Sequence, residues 1–134
     1  MKNLRFLVIF LVLVTMLTAC APAEEAILTV KDQEYSQTDL EELGLMSTEY
    51  TNKDGETTTY EGVSLAELLE DANATDGETL SFTASDGYTA EMAVDEALSC
   101  SSCIVAFDDD GLRMVLPDFS SKLQVKDLSE INVE

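Results

Sequence analysis

Three cysteines, no histidine and 27 carboxylates set the limits on the chemistry open to this 134-residue chain. Without histidine there is no Ser-His-Asp or Cys-His catalysis, no His-ligated zinc or haem, and no histidine general base. The pair Cys100-Ser-Ser-Cys103 has the spacing of a dithiol redox couple. A reactive Cys-x-x-Cys needs its first thiolate stabilised at the start of a helix that follows a strand. Here the order is reversed, a helical turn before the pair and a strand after it. Cys100 and Cys103 therefore read as a structural disulfide or as two half-buried thiols. Two sulfurs are too few to hold a metal, so no metal site is expected. Tyr50 to Glu61 can be laid on a calcium-binding loop, with Asn52, Asp54 and Glu61 at ligand positions. Its first position is Tyr50, however, and no helix leads in, so a hairpin turn at Asp54-Gly55 is the expectation. Asp108-Asp109-Asp110-Gly111 reads as another turn. Carboxylate pairs for acid–base work are certain to occur among so many acids, but no spacing selects one. Arg113 is more informative. It interrupts the apolar run Leu112 to Leu116, so it either meets a carboxylate at a sheet edge or faces a pocket.

The amino terminus carries a different kind of signal. Lys2 and Arg5 precede the unbroken apolar run Phe6 to Val14, and Leu17-Thr18-Ala19-Cys20 follows. The run is shorter than the roughly 20 residues of a membrane span and ends in small residues, as a signal peptide does. Leu-Thr-Ala-Cys resembles the lipobox of bacterial lipoproteins. The resemblance implies cleavage before Cys20 and diacylation of its thiol, which anchors the protein on the extracytoplasmic side of the cell membrane. Residues 1–19 are then the signal peptide, 20–26 a lipidated tether, and 27–134 a single domain with one modest core. Five basic residues face 27 acidic ones from Cys20 onward, a formal charge of −22. Such a surface repels nucleic acid, which is excluded as a partner.

The elements that must position these residues are mostly hairpins. Leu80 to Met92 alternates in period two on both sides of Ser85-Asp86-Gly87, with Leu80, Phe82 and Ala84 on one face. Tyr88, Ala90, Met92 and Val94 share the facing side of the second arm. Met46 to Tyr60 forms a hairpin around Asp54-Gly55, and Ile104–Phe107 pairs with Leu112–Leu116 around Asp108 to Gly111. Ile27–Val30, Leu123–Val125 and Ile131–Val133 are further strands. Thr38 and Glu41 form a capping box opening a short helix that stops at Gly44. Ser64 and Glu67 open a second, whose stripe is Leu65, Leu68, Leu69 and Ala72. Asp95 caps a brief third turn. The fold class is α+β, a hairpin-rich mixed sheet with two or three short helices.

In order along the chain, several segments resemble one family. They are Tyr35-Ser-Gln-Thr-Asp-Leu40, Tyr60-Glu-Gly-Val-Ser-Leu-Ala-Glu-Leu-Leu69, Ser85-Asp-Gly-Tyr88, Leu112-Arg-Met-Val-Leu-Pro117, and Val125-Lys-Asp-Leu128 running into Ile131-Asn-Val133. The series is similar to the oxidoreductase molybdopterin-binding domain, the fold of the sulfite oxidase molybdenum domain, in a short secreted form. The resemblance implies an α+β fold around a pterin-bound molybdenum. It makes Asp86, Gly87, Tyr88, Arg113 and Lys126 the candidates for cofactor-binding or pocket residues. The family's metal takes a cysteine thiolate carried before the Tyr/Trp-x-Gly-Val-x-Leu segment, and this chain has no cysteine between Cys20 and Cys100. The Gly-Pro that usually precedes the arginine strand is also missing.

The expectation is therefore a membrane-anchored, non-catalytic module that binds a small ligand or an extracytoplasmic protein partner and carries no cofactor. The alternative is a molybdopterin-dependent oxidoreductase with atypical metal ligation.

Overall fold

The computed structural model describes residues 24–134. The signal peptide, Cys20 and most of the tether lie outside them. The strands divide between two sheets. β1 (Leu28–Val30) and β2 (Gln33–Tyr35) form a tight hairpin. With β5 (Thr79–Ala84), β6 (Thr89–Ala93) and β9 (Leu128–Val133) they build a five-stranded sheet of order β2-β1-β9-β5-β6. β9 lies at its centre, parallel to β1 and antiparallel to β5, with Phe82 opposite Ile131. The second sheet is antiparallel throughout, in the order β3-β4-β7-β8: Leu45–Thr51, Thr57–Ser64, Ile104–Asp108 and Gly111–Val115.

The three predicted hairpins form, because side-chain parity and turn chemistry agree at each. In β5, Leu80, Phe82 and Ala84 are buried while Ser81 and Thr83 are half-buried. The facing arm departs at one residue. Tyr88 remains 46 % exposed, its hydroxyl donating to the Lys122 carbonyl at 2.8 Å. It lies beyond the last ladder pair, Thr83–Thr89, where no third strand covers it.

Three of the expected local structures differ. α1 (Gln37–Glu42) is capped by Ser36 and not by Thr38. Ser36 Oγ accepts from Asp39 N at 3.2 Å, and Asp39 Oδ2 accepts from Ser36 N at 2.8 Å. This box sits two residues earlier because Ser36 directly follows β2 and keeps extended backbone angles, while Thr38 is already helical. The helix does stop at Gly44, at φ +99°. α3 (Val94–Ser99) starts at Ala93 with no side-chain cap, and Asp95 lies in its first turn. Leu123–Val125 is not a strand: Ser121–Leu123 is a turn of 3₁₀ helix, followed by a single bridge between Arg113 and Lys126. Gln124 prevents a ladder there, since its side-chain amide takes both backbone groups of Leu116, at 2.8 and 2.6 Å. The three-residue β2 carries too short a pattern to be read from sequence.

α2 (Leu65–Asp71) lies where expected. Ser64 Oγ accepts from Glu67 N, and Leu65, Leu68 and Leu69 are buried. The main core gathers these leucines with Tyr35, Leu40, Leu80, Phe82, Met114 and Ile131. A smaller cluster, Ile104, Ala106 and Val115, forms on the opposite face of the second sheet beneath Met46, Tyr50 and Tyr60. β7 is thus buried on both faces. Gly62 makes this possible. A Cβ there would overlap the Val105 carbonyl oxygen and sit 2.5 Å from Ala106 Cα, so only glycine lets β4 approach β7 so closely.

Candidate functional site

Parity along β8 decides where Arg113 points. Leu112 and Met114 enter the main core, and Arg113 with Val115 turns to the other face. Among the described residues Arg113 is the only charged side chain classed as buried, at 6 % exposure. Its guanidinium carbon lies 4.6 Å from the centre of the Tyr60 ring. Nη1 donates to Tyr60 Oη at 3.0 Å and to Asp108 Oδ2 at 3.3 Å. Nε is buried with no hydrogen-bond partner.

Arg113 forms part of the wall of a groove of about 330 Å³. The opposite wall is the outer half of the β3–β4 hairpin. β3 and β4 pair from Leu45–Val63 out to Thr51–Thr57, but β4 meets β7 only at Gly62 to Ser64. The outer part of the hairpin therefore projects past the sheet, carrying Tyr50, Lys53 and Tyr60 into the groove lining. Its turn is held by Asn52, whose Oδ1 accepts from Asp54 N and Glu56 N at 2.9 and 3.0 Å. This turn is the middle of the stretch Tyr50 to Glu61 that can be laid on a calcium loop, and the ends of the stretch belong to β3 and β4. The remaining side is Ser121 to Lys126, drawn against β8 by Met114 N donating to Val125 O at 2.8 Å.

A second depression, about 240 Å³, shares Ser121, Gln124 and Lys126 with the first and adds Asp86, Tyr88 and Lys122. Four of the predicted residues therefore converge: Arg113 on the first, Asp86 and Tyr88 on the second, Lys126 on both. Gly87 shapes the β5–β6 turn at φ +90° and lines neither. Lys53, Tyr50, Tyr60 and Gln124 were not singled out as site residues. The usable signal was the scarcity of cations, since four of the five basic residues after Cys20 line this pair of depressions and only Lys31 does not.

Cys100 and Cys103 stand apart. They are joined in a disulfide with Cα atoms 5.5 Å apart, and neither lines the groove. The loop they close is structural: the Cys103 carbonyl accepts from Leu65 N at the start of α2, and the Ser102 carbonyl from Thr48 Oγ1, both at 2.9 Å. Among the described residues no three His, Cys, Asp or Glu side chains group as a metal site. A third depression, between β2 and α1, is lined by Glu34, Asp39, Glu42 and Asp71 and by no cation. There Tyr35 donates to Asp71 Oδ2 at 2.7 Å. Burial, then the Asp71 carboxylate, pushes the Tyr35 phenol well above its ordinary range.

No family model matches the chain. No curated protein matches it either. Among solved structures the fold is similar to the sulfane dehydrogenase SoxCD from Paracoccus pantotrophus. The two are 16% identical with a TM-score of 0.65, over 79% of this chain and 37% of that one. The chain thus spans little more than a third of that enzyme chain's length. At this identity the likeness is one of fold: the α+β architecture expected from the sequence is the architecture of this chain, and it is similar to that of the dehydrogenase.

Proposed function

We propose that this chain is a membrane-anchored extracytoplasmic lipoprotein whose molybdopterin-oxidoreductase-like domain binds a small ligand or a protein partner without catalysing a reaction. One observation carries the binding role: from Cys20 onward the chain has a formal charge of −22, yet four of its five basic residues border one pair of adjoining depressions, with Arg113 buried in the wall. Folding does not require the exposed Lys53, Lys122 and Lys126 to gather beside Arg113, since surface charges contribute little to stability.

The donor set argues against a resident molybdopterin. The family's thiolate position is empty of cysteine, and the two cysteines within 24–134 are bonded to each other. Three cations against two carboxylates, Asp54 and Glu56, line the main groove, weak provision for a phosphorylated cofactor. The residues present do not fit that group. A second reading, an oxidoreductase with atypical ligation, draws support from the fold shared with a dehydrogenase. Elemental analysis of protein made in a molybdenum-replete host separates the two. The non-catalytic reading expects no stoichiometric molybdenum; stoichiometric metal lost on Arg113→Gln would establish the other. The anchor is tested by metabolic labelling with a fatty acid, which Cys20→Ala should abolish.

A further inference from the structure

In a guanidinium, Nε and Nη2 project their N–H bonds in parallel and form the side-on fork that grips both oxygens of a carboxylate. Arg113 commits Nη1 to Tyr60 and Asp108, Nε has no partner, and no described residue accepts from Nη2. The fork that best suits an external carboxylate is the one left without a protein acceptor. A buried donor without an acceptor costs about 1–3 kcal/mol, so its retention calls for an explanation.

The walls around it narrow the ligand further. Tyr50 and Tyr60 present half-buried rings, and stacking against such rings favours a flat aromatic body. Lys53 and Lys126 are exposed at the rim, but Asp54 and Glu56 share that rim, so a singly charged group is favoured over a dianion. A volume of about 330 Å³ has room for one or two rings.

From this we infer that the groove takes a planar aromatic monocarboxylate. Its carboxylate sits on the Nε–Nη2 edge of Arg113, its ring lies between Tyr50 and Tyr60, and Lys126 screens the charge. Because Nε is closed off from solvent, the acid reaches it only as the Tyr60 ring shifts. Backbone pairing with β7 holds β4 at Gly62 to Ser64 alone, and farther out Tyr50 and Tyr60 rest on the sheet by side-chain packing. This assignment rests on the binding-module reading and names the ligand class of the same site.

The test uses the full lipidated chain in detergent micelles with benzoate, acetate and inorganic phosphate as separate probes. It follows the side-chain Nε–H resonance of Arg113 by NMR, assigned by its loss in Arg113→Lys. Benzoate should move that resonance saturably, with acetate and phosphate about tenfold weaker, the worth of roughly one aromatic stacking contact. Tyr50→Leu should erase the preference for benzoate over acetate. Lys126→Gln, a change at an exposed residue, should weaken all anions a few-fold. If acetate or phosphate binds as well as benzoate, the aromatic class is overturned and the binding-module reading stands. If no probe moves the resonance, the carboxylate site itself is overturned. Benzoate binding that ignores both Tyr50→Leu and Lys126→Gln would place the ligand elsewhere and also overturn it. The molybdenum analysis fails or succeeds independently of all these outcomes.

Discussion

The Arg113 guanidinium lies 4.6 Å from the centre of the Tyr60 ring and donates to the hydroxyl of the same residue. One side chain of β4 thus both stacks near and hydrogen-bonds the buried cation of β8, two strands away across β7. Asp108 supplies the charge balance, at 3.3 Å and with its side chain one-third exposed.

That arrangement predicts coupling. Asp108→Ala and Tyr60→Phe each remove one acceptor of Nη1 and should each cost about 1 kcal/mol, since the other acceptor remains. Together they leave the guanidinium without an acceptor among the described residues, so the double variant should lose about 1 kcal/mol more than the sum. Urea denaturation of the four proteins of the cycle measures this. Simple additivity would show that the guanidinium is satisfied in some other way.

Tyr35 predicts an alkaline limit on stability. Its folded-state pKa is raised by burial and by Asp71, whereas the unfolded chain titrates near 10. The unfolded state therefore loses its proton first. The stabilisation is whole below about pH 10 and is lost as pH rises through the folded value. Spectrophotometric titration at alkaline pH should show a late tyrosine step, above the ordinary phenol range. In Tyr35→Phe that late step should vanish, at a cost of about 1 kcal/mol near neutral pH.

The first helix offers a position-specific check. Ser36→Ala should cost about 1 kcal/mol, because it removes the acceptor for Asp39 N, while Thr38→Ala should be close to neutral. Backbone and side-chain bonds from Ser36 hold the Asp39 carboxyl below its usual range. The box therefore contributes above the unfolded carboxylate pKa and is lost as pH falls through the lower, folded one. Thermal denaturation at neutral and acid pH should show the Ser36→Ala deficit shrinking in acid.

Gly62→Ala should be among the most damaging single-methyl changes in the chain. Its Cβ meets backbone of β7 and not a side chain that can turn aside. The two strands must separate, at a cost of about 3 kcal/mol or more, and the groove wall moves with them. Denaturant titration gives the loss; a stable Gly62→Ala protein would show that β4 has slack that the close pairing does not reveal.

Much of this fold is legible in the sequence because its elements are local. The β5–β6 hairpin follows from Leu80, Phe82 and Ala84 alternating up to Asp86-Gly87, and α2 follows from Ser64 and its leucine stripe. In each, the residues that specify the element are close neighbours along the chain. The misplaced cap at Thr38 marks the limit of that reading. Two overlapping box-like patterns, Ser36 with Asp39 and Thr38 with Glu41, compete within six residues, and the end of β2 decides between them.

The sequence alone determined the α+β class, the turn positions, the absence of histidine chemistry and the scarcity of basic charge. Residue type and short-range parity are enough for these. Only the tertiary structure decided that the strands form two sheets, that β9 runs parallel to β1 at the centre of one, and that Leu123–Val125 is not a strand. It also decided that Lys53, Arg113, Lys122 and Lys126, up to 73 residues apart, border two adjoining depressions. Such proximity arises when the chain closes long loops, and no local pattern encodes which distant cations that closure will bring together.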